Sequence, residues 1–385
     1  MTLSDKQELT GHLELLAKMF WHNDICPWSK LTAEQQLSAC EFADKFGTLN
    51  YLYYKLNTAL PAIWQTKLAA NYRNSAGASL IEEHQLNSLY RSLIAAKIRF
   101  APLKGADLAF RVYPVPALRP HVDWDILFHP QDFKLALKCL GAQGWESPYE
   151  YLTCQHHAAR MRKDVFGVEP HFTLSGFGQT NPAELWQYIT PAQTSEFRHI
   201  LTPELNLLML CRHIAANNYR HSSYGKLLLD IGFLLKAETV DWEKLSFMCK
   251  RWNLPYPGNI LGAFPEFFPL EVQKNSQPDS GVAAVYRKIF ETALYMPSYN
   301  VAEWACNESN FLRLLWWKYH LRGIMPNTIR AKYSLPAKGE YFKLFLYWLL
   351  DVSKKMKALL LYTTRRNPQM REYLNLLNLA EKSFK

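Results

Sequence analysis

The chain has 385 residues, of which 49% are hydrophobic and 20% charged, and a formal net charge of +10. That balance excludes a disordered chain, and the length calls for two or three domains. The 7 cysteines (Cys26, Cys40, Cys139, Cys154, Cys211, Cys249, Cys306) form no CxxC pair, a pattern that fits buried thiols in a reducing cytosol rather than a disulfide framework or a zinc site.

The first twenty residues, MTLSDKQELTGHLELLAKMF, read as an amphipathic helix without the basic-then-apolar layout of a secretory signal. Residues 1–80 keep helical spacing and carry no catalytic cluster, so a small helical region is expected there. Ser79 to Lys97 is the clearest helix, with Leu86, Leu89, Leu93 and Ile94 on one face. It runs into a β-like segment, Ile98 to Leu103, ended by Lys104-Gly105. Asp107 to Val112 reads as a helix broken by Tyr113 to Pro116. Val122 to Phe128 alternates acidic and apolar residues with the period of a strand, and Gln131 to Gly144 reads as a helix packing back on it. Asp164 to Leu174 is a last strand candidate, and from Thr202 the chain is helical again. No apolar stretch approaches the ~20 residues that span a bilayer.

The chemistry centres on Asp123-Trp124-Asp125. On a strand, side chains at i and i+2 share a face, so the two carboxylates project together and Trp124 points away. Such a pair can hold Mg²⁺ or Mn²⁺ against the phosphates of a nucleotide, although the same spacing also occurs on plain strand edges. Lys104 and Gly105 stand at a strand-to-helix turn. There, backbone N–H groups and the lysine charge suit phosphate oxygens. Arg119, just ahead of the carboxylates, offers a forked donor set for phosphate. Glu169, in the later strand segment, supplies a third acid to complete a metal set of Asp123, Asp125 and Glu169 or to take a proton. His156-His157 has no Cys or acidic partner at metal-site spacing and reads as a surface or helix-packing feature. Trp316-Trp317 reads as core or as the cover of a groove.

These residues occur in a familiar order: a helix, Leu103-Lys104-Gly105-Ala106, Tyr113-Pro114, Leu118-Arg119-Pro120, then Asp123-Trp124-Asp125. The order resembles an uncharacterised bacterial nucleotidyltransferase family of the polymerase-β superfamily. Glu169-Pro170-His171-Phe172 is similar to the family's DLHW-like segment, and Ala106 stands where a serine is familiar. Leu207 to Ala216, with His213, and Lys226 to Ile231, with Asp230, resemble its helical segment, and Asp241-Trp242 the motif that follows. The likeness covers roughly residues 82–255, and more faintly 320–330.

The resemblance implies an α+β fold: a small mixed sheet with helices, flanked by helical regions at both ends. The expected boundaries are a helical region at 1–80, the nucleotidyltransferase core at 81–178, a helical domain at 179–309 and a basic helical arm at 310–385. It further implies a cytoplasmic enzyme with Mg²⁺ or Mn²⁺ and an NTP as substrate. The enzyme would pass a nucleoside monophosphate to a hydroxyl or phosphate acceptor and release pyrophosphate. His171, His213 and Asp230 join Lys104, Gly105 and Arg119 as implied nucleotide-binding residues, with a buried His213–Asp230 pair as the other reading. Residues 310–385 carry 15 Lys/Arg against 4 Asp/Glu. The arm points to an anionic partner (nucleic acid, a phosphorylated acceptor or an acidic membrane surface) or is a solvated face. The competing functional class is a weakly catalytic or non-catalytic protein that binds a nucleotide or partner with the same fold.

Overall fold

The structure is a computed structural model, and it describes residues 3–121, 123–147, 156–177, 180–216, 221–294, 339–364 and Leu376. Gly178, Trp316-Trp317, the segment 320–330 and Arg365-Arg366 lie outside the described residues.

Helices α1 (Leu3–Trp21), α2 (Cys26–Ser29), α3 (Ala33–Phe46) and α4 (Leu49–Leu56) lead into the 34-residue α5 (Ala62–Ala95). Local chemistry marks the ends of α3. Thr32 and Gln35 close a reciprocal capping box at its start, and Gly47, at φ 77°, ends it in the left-handed conformation glycine adopts without strain. The strands are β1 (Phe100–Pro102), β2 (Trp124–Phe128), β3 (Met161–Lys163), β4 (Phe166–His171), β5 (Ile189–Ala192) and β6 (Ser195–Leu201). They form one mixed sheet in the order β3-β4-β2-β1-β6-β5. β2 runs parallel to β4 and antiparallel to β1, and β1 runs parallel to β6. The fold is α+β, a mixed sheet flanked by helices.

All five residues of β2 are buried, so both faces of the sheet are covered. Trp124, Ile126 and Phe128 join Leu86, Leu89 and Leu93 of α5 and Ala136 and Leu140 of α7 (Phe133–Ala142) in one core. Leu127, on the opposite face, belongs to a larger core. That core gathers Leu13 and Phe20 of α1, Phe46 of α3, Leu208 of α9 (Pro203–Ala216) and Leu228 of α10 (His221–Ala237). It continues into α11 (Trp242–Trp252), where Leu245 and Met248 are buried, and reaches Ile260, Phe264 and Phe290 beyond it. Residues near the start of the chain therefore pack directly on helices more than 200 positions later. The Phe20 ring, for example, sits 4.7 Å from that of Phe233.

The hairpin Ile189–Leu201, which follows the short α8 (Pro182–Leu185), falls in the stretch expected to be helical, yet it belongs to the sheet, with Phe100 of β1 facing Arg198 of β6. The sequence of β6, SEFRHIL, carries Glu196, Arg198 and His199 and shows no clean apolar alternation; pairing with its neighbours rather than composition makes it a strand. Among the described residues, no helix is long and apolar enough to cross a membrane.

Candidate active site

The sheet brings the acids together through register. Asp125 of β2 lies level with Glu169 of β4, and Leu127 lies level with His171. Because alternate residues share a face, Asp125, Glu169 and His171 project from the same side as Leu127, while Trp124 and Val168 turn into the core beneath α5. β1 adds the fourth member. The Leu103 N–H donates to the Asp125 carbonyl at 2.9 Å, which sets the next residue, Lys104, beside the Asp125 side chain.

Asp125 is almost fully buried, and its Oδ1 accepts from Lys104 Nζ at 3.1 Å and from His171 Nε2 at 2.9 Å. Burial would raise this carboxyl, but the Lys104 charge and the His171 hydrogen bond overturn that effect and hold it well below the usual carboxylate range. Asp123 sits just before β2 and pairs with Arg160, whose guanidinium lies across Gly167, where any Cβ would collide with it. Burial raises the Asp123 carboxyl, Arg160 opposes the rise, and the neighbouring Glu169 and Asp125 charges add to it.

Asp125, Glu169 and His171 present donor atoms that all lie within 4.8 Å of one another, a set able to hold a metal ion. It shares two members with the set expected from sequence, Asp123, Asp125 and Glu169; His171 takes the third place and Asp123 faces Arg160. The fit to a cation rests on His171. Its side chain is 2% exposed, its Nε2 stands 3.8 Å from Glu169 Oε2, and its Nδ1 is buried with no hydrogen-bond partner among the described residues.

His156 and His157, read from sequence as surface or helix-packing residues, flank this imidazole, with ring centroids 5.4 and 5.2 Å from that of His171. A bridge opposite β4 pairs His157 with His171, extending the β3–β4 hairpin. Sequence spacing hides that proximity, since the pairing partner is 14 residues away. Burial, and then the neighbouring His157 and His171, push the His156 imidazole down to about 4, so it is neutral at physiological pH.

Lys104 and Gly105 share the strand-to-helix turn. Lys104 takes the left-handed backbone, at φ 49° and ψ −124°, a conformation costly for a residue with a Cβ and concentrated at functional sites. Gly105 opens α6 (Gly105–Arg111) where a Cβ would meet Cβ and Cγ of His121 at 2.8 Å. Gly105→Ala should therefore displace His121 and the start of α6, at a cost of about 1–3 kcal/mol. A thermal melt checks this, and an unchanged Tm would show that His121 swings aside freely.

Arg119 and Asp230 are placed differently from the expectation that both face a nucleotide. Asp230, fully buried on α10, accepts from Arg119 Nε at 2.6 Å and Nη2 at 2.9 Å, and from the Tyr113 hydroxyl at 2.7 Å. The forked guanidinium is thus spent on a buried carboxylate, and Asp230 pairs with Arg119 and Tyr113. The pair ties the segment leading into Asp123 to α10. His213 on α9 lies close enough to feel the Lys104 and Asp125 charges, and burial with Lys104 pushes it down to about 3. Lys226, a residue missed by the sequence reading, donates from α10 to the Pro120 carbonyl at 3.3 Å. Burial, with Arg119 nearby, brings its ammonium down to about 8.

A family model described as uncharacterised nucleotidyltransferase matches residues 34–257, more than half of the chain, and the chain belongs to that family. The match takes in every residue of the site from Lys104 to Asp230. No curated protein and no solved structure matches the chain.

Proposed function

We propose that this chain is a metal-dependent nucleotidyltransferase of the polymerase-β superfamily. It transfers a nucleoside monophosphate from an NTP to a hydroxyl or phosphate acceptor, with pyrophosphate as the second product. The observation that carries this is the register of Asp125 against Glu169 on parallel strands, with Lys104 over Asp125 and Asp123 alongside. Membership of the nucleotidyltransferase family supports it.

The chain's residues divide the reaction. Asp125, Glu169 and His171, with Asp123 beside them, are the residues to hold Mg²⁺ or Mn²⁺; such an ion neutralises phosphate charge and activates an acceptor hydroxyl. Lys104 meets the phosphates as a point charge once its contact with Asp125 loosens. Glu169, the more open carboxylate of the cluster, is placed to take the acceptor's proton. His213, kept neutral, closes the site from α9. The basic segment 310–385 favours an anionic acceptor. The buried free thiols of Cys40, Cys211 and Cys249 suit a cytoplasmic setting, and the resemblance favours a bacterial source.

Incubation with each α-³²P-labelled NTP in Mg²⁺ or Mn²⁺, with lysate as the acceptor source, tests the proposal. Label transferred with stoichiometric pyrophosphate supports it; no transfer from any NTP with either ion overturns it. Lys104→Ala should raise the nucleotide dissociation constant about ten- to a hundredfold, because a charge-assisted contact contributes about 1.5–3 kcal/mol. Isothermal titration with a non-hydrolysable NTP measures it, and unchanged affinity would place the phosphates elsewhere.

A further inference from the structure

We propose that His171 is a metal ligand and that its imidazole makes this site select Mn²⁺ over Mg²⁺. This rests on the reading of the site as a divalent-metal centre and names which cation that centre takes. Nε2 of His171 is 2.9 Å from Asp125 Oδ1 and 3.8 Å from Glu169 Oε2. Two neighbouring donors each about 2.1 Å from an octahedral cation stand about 3.0 Å apart, so the nitrogen and the Asp125 oxygen are already at ligand–ligand spacing. A carboxylate oxygen can only accept, so the proton of the Asp125–His171 contact sits on Nε2, where a cation would replace it. The displaced hydrogen then sits on Nδ1, the other tautomer of the neutral ring. Nδ1 now lacks a hydrogen-bond partner among the described residues, and the His156 and His157 rings stand 5.4 and 5.2 Å from the His171 ring, centroid to centroid.

The ring has little freedom to leave. It is buried, held in register on β4 by pairing with β2, and bridged on the other side through His157. A nitrogen donor fixed among two carboxylates changes the preference of the site. Mg²⁺ demands hard oxygen donors in a near-ideal octahedron and sheds water reluctantly, whereas first-row transition ions accept imidazole. The two carboxylates keep the site hard enough for Mn²⁺.

The test compares binding of Mn²⁺ and Mg²⁺ to the full chain without nucleotide, with Mn²⁺ followed by electron paramagnetic resonance and Mg²⁺ by competition. The wild type should prefer Mn²⁺, and His171→Asp, which restores an all-carboxylate set, should shrink the preference about tenfold or more. His171→Gln should weaken Mn²⁺ more than Mg²⁺. Pulsed resonance of the Mn²⁺-loaded wild type should show coupling to one imidazole nitrogen, lost in both variants; this keeps the proposal testable if a variant folds poorly. Absence of nitrogen coupling in the wild type, or an unchanged Mn²⁺/Mg²⁺ ratio in a folded His171→Asp protein, overturns it. Neither readout depends on turnover. Nitrogen coupling without nucleotidyl transfer would sink the proposed reaction and leave the ligand assignment standing; transfer without coupling would do the reverse.

Discussion

Asp125→Asn should abolish metal-dependent nucleotide binding and lower nucleotidyl transfer by at least about 10³-fold, a loss of about 4 kcal/mol of transition-state stabilisation. The same substitution has a structural cost, because Oδ1 of Asp125 receives both Lys104 and His171. An amide keeps the volume but not the charge, and Lys104, with a side chain only 15% exposed, loses its counter-ion. Loss of such a contact costs about 1–3 kcal/mol, so the variant should remain folded with a lower Tm. The effect also has a pH signature. The folded-state carboxyl is held below its unfolded value, so its contribution to stability is present above about pH 4 and fades as the pH falls further. Acid unfolding of the variant should be correspondingly shallower below about pH 4. Wild-type turnover in Asp125→Asn would show that the chemistry is elsewhere; lost turnover with an unchanged acid profile would separate catalysis from the Lys104–Asp125–His171 contacts.

How much of this was legible depends on the range of each interaction. The Asp123-Trp124-Asp125 alternation is local, and the strand follows from a period of two; the burial of its acidic face comes from the helices packed there. The helix read at Ser79 to Lys97 extends back to Ala62 as one piece, because nothing in the earlier segment breaks it; Gly77 stands in its middle with nothing crowding it. β6 could not be read, since its apolar residues, Phe197, Ile200 and Leu201, do not alternate. Within the site, sequence order supplies the acids, but the alignment of Asp125 with Glu169 is a pairing across 44 positions. The roles of basic residues were the least legible. Arg119 looks like a phosphate ligand because it precedes the carboxylates, yet a guanidinium pairs with whichever buried acid the packing supplies. Here that acid is Asp230, 111 positions on.

The Arg119–Asp230 pair yields the largest expected loss of stability. Asp230 has no exposed surface and Arg119 is 6% exposed, so removing the negative charge strands a guanidinium in the interior. Breaking one partner of a buried pair costs about 3–5 kcal/mol, far more than a surface pair. Asp230→Asn should therefore lower Tm by on the order of 10 °C, given roughly 2–4 °C per kcal/mol for chains of this class. Tyr113 sharpens the expectation, because its hydroxyl donates to Asp230 Oδ1, the same oxygen that takes Arg119 Nε. Tyr113→Phe alone should cost only about 1 kcal/mol, since the ion pair persists. Replacing both charges at once, Arg119→Met with Asp230→Leu, should recover most of the loss, because apolar groups of similar volume need no counter-ion. The double variant also separates support from binding. If the pair only anchors the segment before Asp123 on α10, nucleotide affinity should return with stability. If either residue contacts the triphosphate, the double variant should melt near wild type and still bind NTP at least about tenfold more weakly. Melting and titration of the three proteins side by side decide between these outcomes.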